Sequence, residues 1–197
     1  MTSTSRFAQF LISALVIAGV SWQAQASSDL AKGTGELDEV WATEQNGNLN
    51  GGNNTGHGSL VVFNAIDMSV KTIIDTDGTD TKTCLPGQTP PNCAKITRPH
   101  TVQFSRDYKF AITIGTLSTS MSVFNAETKQ LVQDFQVAPG TSPHTASATP
   151  DDTRVFAVGI GGSKPFLQEF IRDFSNDAAP YTKTKFLDLT DVPAVAA

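Results

Sequence analysis

Reactive side chains are scarce in this sequence: 197 residues carry two cysteines and three histidines. Basic residues are outnumbered, 14 Lys and Arg against 19 Asp and Glu, and the formal net charge is −5. No Lys/Arg cluster interleaves with aromatics, so the electrostatic footprint of a nucleic-acid binder is missing and anionic membrane surfaces are poor partners. No Gly-x-Ser-x-Gly elbow occurs, and Gly159-Ile160-Gly161-Gly162 opens no helix that would cradle phosphate. The cysteines are not spaced Cys-x-x-Cys, which removes a thioredoxin-like redox role. The apolar run Phe7 to Val20 is about 14 residues, short of the roughly 20 that span a bilayer as a helix.

What that run does resemble is the core of a secretory signal. Arg6 supplies the positive flank, and Ala24-Gln25-Ala26 the small-residue cleavage site before Ser27. Residues 1–26 are therefore read as a signal peptide, 27–39 as a linker, and the protein as secreted or periplasmic with no membrane association after cleavage. Export to an oxidising compartment favours a disulfide between Cys84 and Cys93. Zinc is disfavoured there, because two cysteines without a nearby histidine do not make a four-ligand set.

The informative presence is a repeat. Arg98-Pro99-His100-Thr101-Val102-Gln103-Phe104-Ser105-Arg106-Asp107 returns 44 residues later as Ser142-Pro143-His144-Thr145-Ala146-Ser147-Ala148-Thr149-Pro150-Asp151. A second pair, Ser59 to Asp67 and Ser120 to Thr128, is shifted by 61. The surplus falls in a Thr, Asp, Gly and Pro stretch at 76–97, read as a loop inserted between repeats. Self-similarity at roughly 40–45 residues carried by short strands is the signature of four-stranded propeller blades.

Residues 40–189 accordingly read as an all-β domain of about three blades. The first has strands near Val40–Thr43, Ser59–Ala65 and Lys71–Asp75, its innermost strand absent or weak. The second runs through His100–Ser105, Phe110–Gly115, Ser120–Ala126 and Leu131–Val137. The third runs through His144–Thr149, Val155–Ile160, Phe166–Phe174 and Thr182–Leu189, although Pro165 to Arg172 also fits a helical turn. Residues 190–197 form a tail. Closed propellers have about four to eight blades, so the chain is read as a piece of a longer propeller, with a homo-oligomer as the other way to close it.

Pro143-His144-Thr145 followed by Thr149-Pro150-Asp151-Asp152-Thr153-Arg154-Val155-Phe156 resembles the blade start of the YVTN/lactonase-like propeller family, a broad group that includes nitrite-reductase and nitrous-oxide-reductase propellers. Pro99-His100 with Ser105-Arg106-Asp107-Tyr108-Lys109 repeats it imperfectly. The name-giving tetrad is missing, and Asp152 and Tyr108 stand where a turn glycine is usual. The resemblance implies a WD-like propeller fold and keeps a metal- or haem-associated redox or hydrolytic role in view.

His100 and His144 open the innermost strands of consecutive blades, facing the rim of the central channel, and His57 lies in the Asn/Gly loop before a strand. Two or three imidazoles converging there suit copper, zinc or haem iron. The competing reading is structural, with no cofactor. Arg98 breaks the repeat and is a candidate rim contact for an acidic ligand. Ser105, Asp107, Thr149 and Asp151 occupy matching repeat positions and read as turn makers, so no catalytic residue is assigned. The expectation is an exported binding or scaffolding module for a protein, peptide or small ligand. The alternatives are a metal- or haem-bearing propeller and a non-functional fragment.

Overall fold

The computed structural model describes residues 39–45, 57–137, 141–162 and 165–191. Residues 1–26, read from the sequence as a signal peptide, the expected linker 27–39 except Glu39, which opens the first strand, most of the Asn/Gly loop and residues 192–197 lie outside the described residues. Eleven strands follow in order: β1 (Glu39–Glu44), β2 (Ser59–Asn64), β3 (Val70–Asp75), β4 (Pro99–Phe104), β5 (Phe110–Gly115), β6 (Ser120–Asn125), β7 (Leu131–Gln136), β8 (Thr141–Ala148), β9 (Arg154–Gly162), β10 (Phe166–Arg172) and β11 (Tyr181–Asp188). They form three antiparallel meanders, β1-β2-β3, β4-β5-β6-β7 and β8-β9-β10-β11. This is an all-β chain of propeller blades, and among the described residues no helix is long and apolar enough to cross a membrane.

Strand alternation builds the two interfaces between blades. Successive side chains of a strand point to opposite faces, and in β5 this sends Phe110, Ile112 and Ile114 toward the third blade while Ala111 faces the first. Both faces are covered, so all six β5 residues are buried, Thr113 among them. The second and third blades meet through Met121, Val123, Val155, Ala157, Phe166, Phe170 and Tyr181. The first and second meet through Trp41, Leu60, Val62, Ile74, Phe124 and Leu131. Phe166 and Phe170 are four apart, the spacing that also fits a helix. In β10 they share one strand face with Gln168 between them, and the Gln168 amide donates to the Lys185 carbonyl at 2.8 Å.

The first blade has three strands among the described residues. Val62 pairs with Trp41 as Val123 pairs with Ile112, so β1 holds the place of a second strand. The contacts agree: β1 lies beside β4 as β5 lies beside β8, and β4 and β8 lie side by side as first strands.

The inserted loop is part of the core. Cys84 and Cys93 form a disulfide with Cα atoms 4.4 Å apart. Ile96 and Thr83 are fully buried, and Leu85 and Ala94 pack against the cluster between the first two blades. Within the expected loop, a 3₁₀ turn at Thr81–Thr83 is capped by Asp80 and held to the second blade by the Gln130 amide, which donates to the Thr81 and Cys84 carbonyls at 2.9 and 3.0 Å.

Candidate functional site

The strands all begin or end at one of two edges of the blades, and the edges differ in chemistry. At the first, hairpins are closed by short polar turns. The Ser105 hydroxyl donates to Asp107 at 2.7 Å and accepts from the Phe110 amide at 3.0 Å. Thr149 repeats this with Asp151 at 2.6 Å and the Arg154 amide at 3.2 Å. These four residues make turns, as the repeat suggested. Tyr108 and Asp152, which stand at the usual glycine position, have φ of 58° and 60°, a region where only glycine sits without strain.

Two ion clusters lock the same edge, one per interface. Between the second and third blades, the Arg172 side chain is 1% exposed; its guanidinium pairs with Asp107 at 2.6 Å and with Asp152, and it lies over the rings of Phe110 and Phe174. Desolvation pushes the Asp107 carboxyl up, but hydrogen bonds from Ser105, the Lys109 amide and Arg172 bring it below the ordinary aspartate value. Burial pushes the neighbouring Tyr181 phenol up to about 12. Between the first and second blades, Glu39 pairs with Lys129 at 2.7 Å and Lys71 at 2.9 Å, and Lys129 lies 5.5 Å from the centre of the Trp41 ring. Against the desolvation of Glu39, those two lysines and the Trp41 indole hold its carboxyl below the ordinary value. The sequence reading missed both clusters, because their charged members are scattered over three turns and three strands.

The opposite edge carries the three histidines and Arg98. His100 and His144, on neighbouring first strands, bring their rings to 4.1 Å between centroids at 50°. Both residues are half-buried, and His100 Nδ1 is buried without a hydrogen-bond partner, as is the adjacent Thr101 hydroxyl. The Pro-His step sits at a register shift in each sheet, between Pro99 and Thr101 and between Pro143 and Thr145. Such a bulge re-aims a side chain at the end of a strand. The backbone of His100 is held across the interface by the Thr43 hydroxyl, which donates to its carbonyl at 3.1 Å.

His57 belongs to a different neighbourhood. Its carbonyl accepts the Arg98 amide at 2.9 Å, and its Nδ1 is buried and unpartnered. Among the described residues no three His, Cys, Asp or Glu side chains come together as a metal-holding group. Gly58 fixes this corner: at φ +95°, a Cβ there would lie 2.2 Å from the Glu44 carbonyl oxygen and 2.8 Å from Pro99. Arg98 has φ of 54°, and its carbonyl accepts the Thr116 amide and hydroxyl at 3.1 and 3.2 Å. Backbone ties thus hold Arg98 in place while its side chain is exposed beside the histidine edge.

No family model matches the chain, and no curated protein matches it. Solved structures do. A crystal structure of a protein from Lactobacillus plantarum is similar to it with a TM-score of 0.54 and 14% identity, over 81% of this chain and 41% of that one. The β-propeller domain of Cps50 (Swd1) from Myceliophteria thermophila is similar with a TM-score of 0.47 and 10% identity, over 67% of this chain and 40% of that one. The chain spans about two-fifths of the length of these proteins. At such identity the likeness is one of fold.

Proposed function

We propose that the chain is an exported β-propeller binding module that recognises a peptide, a protein segment or a small ligand at the histidine edge of its blades. One observation carries the reading: two imidazoles from neighbouring first strands meet at 4.1 Å, and one of them keeps a buried ring nitrogen without a partner. A buried polar atom left unpaired costs about 1–3 kcal/mol. A ligand that hydrogen-bonds His100 Nδ1 recovers that cost. Arg98 beside it supplies charge for an acidic group. A propeller fold does not by itself assign an activity, and the Ser105/Asp107 and Thr149/Asp151 pairs are engaged in their own turns, which supports binding over hydrolysis.

The second reading is a metal or haem iron held by His100 and His144, with copper or zinc as the other metals suited to imidazole. The same ring pair favours it, and any further ligands would come from outside this cluster. One titration separates the two. The full chain is followed through its imidazole carbon-bound proton resonances while short peptides, small carboxylates and zinc are added in separate arms. The binding reading expects His100 and His144 to respond together to a metal-free organic ligand and H144A to abolish the response. Stoichiometric metal in the purified chain, with neither imidazole responding to any organic probe, overturns it.

A further inference from the structure

The turns after β4 and β8 are copies of one another, 44 residues apart, down to their hydrogen bonds. In each, a hydroxyl and a backbone amide donate to one carboxylate oxygen. Ser105 and the Lys109 amide donate to Asp107 Oδ1 at 2.7 and 3.2 Å, and Thr149 and the Thr153 amide to Asp151 Oδ1 at 2.6 and 3.2 Å. At the second blade the other oxygen, Asp107 Oδ2, accepts from the Arg172 guanidinium of the third blade at 2.6 Å. That guanidinium lies 5.4 Å from the centre of the Phe110 ring, and Tyr181 of the third blade meets the same ring edge-on. At the third blade the corresponding residues, Thr149, Pro150, Asp151, Thr153, Arg154 and Phe156, line an open cavity of about 440 Å³. Asp151 is exposed there, and among the described residues its hydrogen bonds all fall on Oδ1.

We propose that this cavity is a guanidinium receptor that takes an arginine side chain from a partner protein, as the second blade takes Arg172. The site lies at the turn edge, opposite the histidines, and stands apart from the binding reading given above. Its charges favour a cation. The second-blade turn flanks Asp107 with Arg106 and Lys109, whereas the third-blade turn has Pro150 and Thr153 at those positions. Arg154 stands where Phe110 stands, but its charge is met by Glu169 at 3.1 Å, and Glu169 in turn accepts the Thr184 hydroxyl at 2.9 Å. Phe156, at the position of Ile112, brings an aromatic ring to the cavity wall, a surface on which a planar guanidinium stacks. A carboxylate fixed through one oxygen presents the other in a set direction, which suits the rigid donors of arginine. A second copy of this chain does not supply the arginine from its other blades. Phe124 pairs with Ala111 as Phe170 pairs with Val155, which puts Ala126 at the place of Arg172, and the 61-residue shift puts Ala65 there in the first blade. The occupant is therefore a different chain with an arginine between apolar neighbours, as Arg172 lies near Phe170 and Phe174.

The test titrates the full chain with an end-blocked synthetic peptide of the sequence Phe170-Ile171-Arg172-Asp173-Phe174 and follows the backbone amide resonances of Asp151 and Thr153. A second peptide carries citrulline, the neutral isostere, in place of the arginine. The arginine peptide is expected to shift both amides saturably, and the citrulline peptide to bind about tenfold more weakly or worse, the fold-change of one lost charged hydrogen bond. Asp151→Asn keeps the Oδ1 acceptor of the turn and removes the charge, so it is expected to weaken the arginine peptide by a similar factor and leave the citrulline peptide unchanged. The inference is overturned if the two peptides bind equally, if D151N binds the arginine peptide as the parent does, or if neither amide moves at millimolar peptide. The peptide comparison on the unsubstituted chain decides the matter even if D151N fails to fold. If the peptide moves His100 and His144 while Asp151 and Thr153 stay still, the guanidinium receptor fails and the histidine-edge reading gains a ligand.

Discussion

The two edges of the blades use the same kinds of residue to opposite ends. At the turn edge, Arg172 is enclosed by Asp107, Asp152 and two aromatic rings, and Glu39 by two lysines and a tryptophan. Charge is buried there, but each charge meets its opposite. Asp152 Oδ1, Arg172 Nε and the Tyr181 hydroxyl lack partners, yet Asp152 and Arg172 pair with each other, and Tyr181 adjoins Arg172 in the β10–β11 register. At the histidine edge, Nδ1 of His57 and of His100 and the Thr101 hydroxyl are also unpartnered, and no described carboxylate is paired with either ring. Both edges thus leave buried polar atoms without partners, and what sets the turn edge apart is the ion pairs that it adds across each blade interface.

Breaking the turn edge has the largest expected effect. Arg172→Met removes the cation shared by Asp107 and Asp152 and leaves the buried Asp152 carboxylate without its ion-pair partner. Removing one partner of a buried ion pair costs about 3–5 kcal/mol, and denaturant unfolding should show a loss of that size. A loss under about 1 kcal/mol would assign the interface to apolar packing alone. The same edge sets the acid limit. Asp107 and Glu39 are both held below their ordinary values in the folded chain. Their contribution is therefore present above the unfolded carboxylate range near pH 4. It fades as pH falls through the lower folded values. Unfolding free energy should drop below about pH 4, and D107N should flatten that decline, while substitutions at the histidine edge leave its shape unchanged.

Next in size is the inserted loop that joins the two edges on the outside of the first two blades. The disulfide closes a segment with a separation of 9 residues, and loop-closure entropy for so short a ring is worth about 2–3 kcal/mol. C84S/C93S should lose roughly that much, and the loss should appear as faster exchange around Ile96 and Leu131, which share the core that the loop completes. Unchanged protection there would mean the loop is held by its own packing.

How far the sequence foretold this comparison depends on range. The strands from Phe110 to Gly115 and Ser120 to Asn125 were legible because alternation and the 44- and 61-residue repeats are local signals read against each other. The left-handed turn positions at Tyr108 and Asp152 were legible as breaks in the glycine pattern. The meeting of His100 with His144 followed from their matching repeat positions. Arg172 was not legible: its partners are 65 and 20 residues away, it lies itself outside the repeated segments, and a lone arginine at the end of a strand carries no sign of burial. The packing of Ile96 was hidden for a similar reason, since a Thr-, Gly- and Pro-rich insertion reads as solvent-exposed.

A smaller effect sharpens the turn edge without touching its charges. Met68 has φ of 57° and is 56% exposed, in the turn equivalent to that of Lys129, whose φ is 63°. The left-handed region costs a non-glycine residue about 1–2 kcal/mol, and glycine returns part of that through its freer unfolded chain. Met68→Gly is expected to stabilise the fold by about 0.5–1 kcal/mol in chemical unfolding. A destabilisation would show that the Met68 side chain contributes packing that its exposure does not reveal.

The smallest expected change in stability is also the most decisive, because it falls at the other edge. Replacing both His100 and His144 by Leu removes the buried nitrogen that has no partner and leaves two apolar side chains in contact. Exchanging unsatisfied polar groups for apolar ones of similar shape is near neutral or stabilising. The double variant should therefore unfold within about 1 kcal/mol of the parent, with the same acid limb, while losing any ligand response carried by the imidazoles. If it instead lost as much as Arg172→Met, the ring pair would be a structural tie between blades. The two edges would then do the same job, and the proposal that the imidazoles bind a ligand would fail.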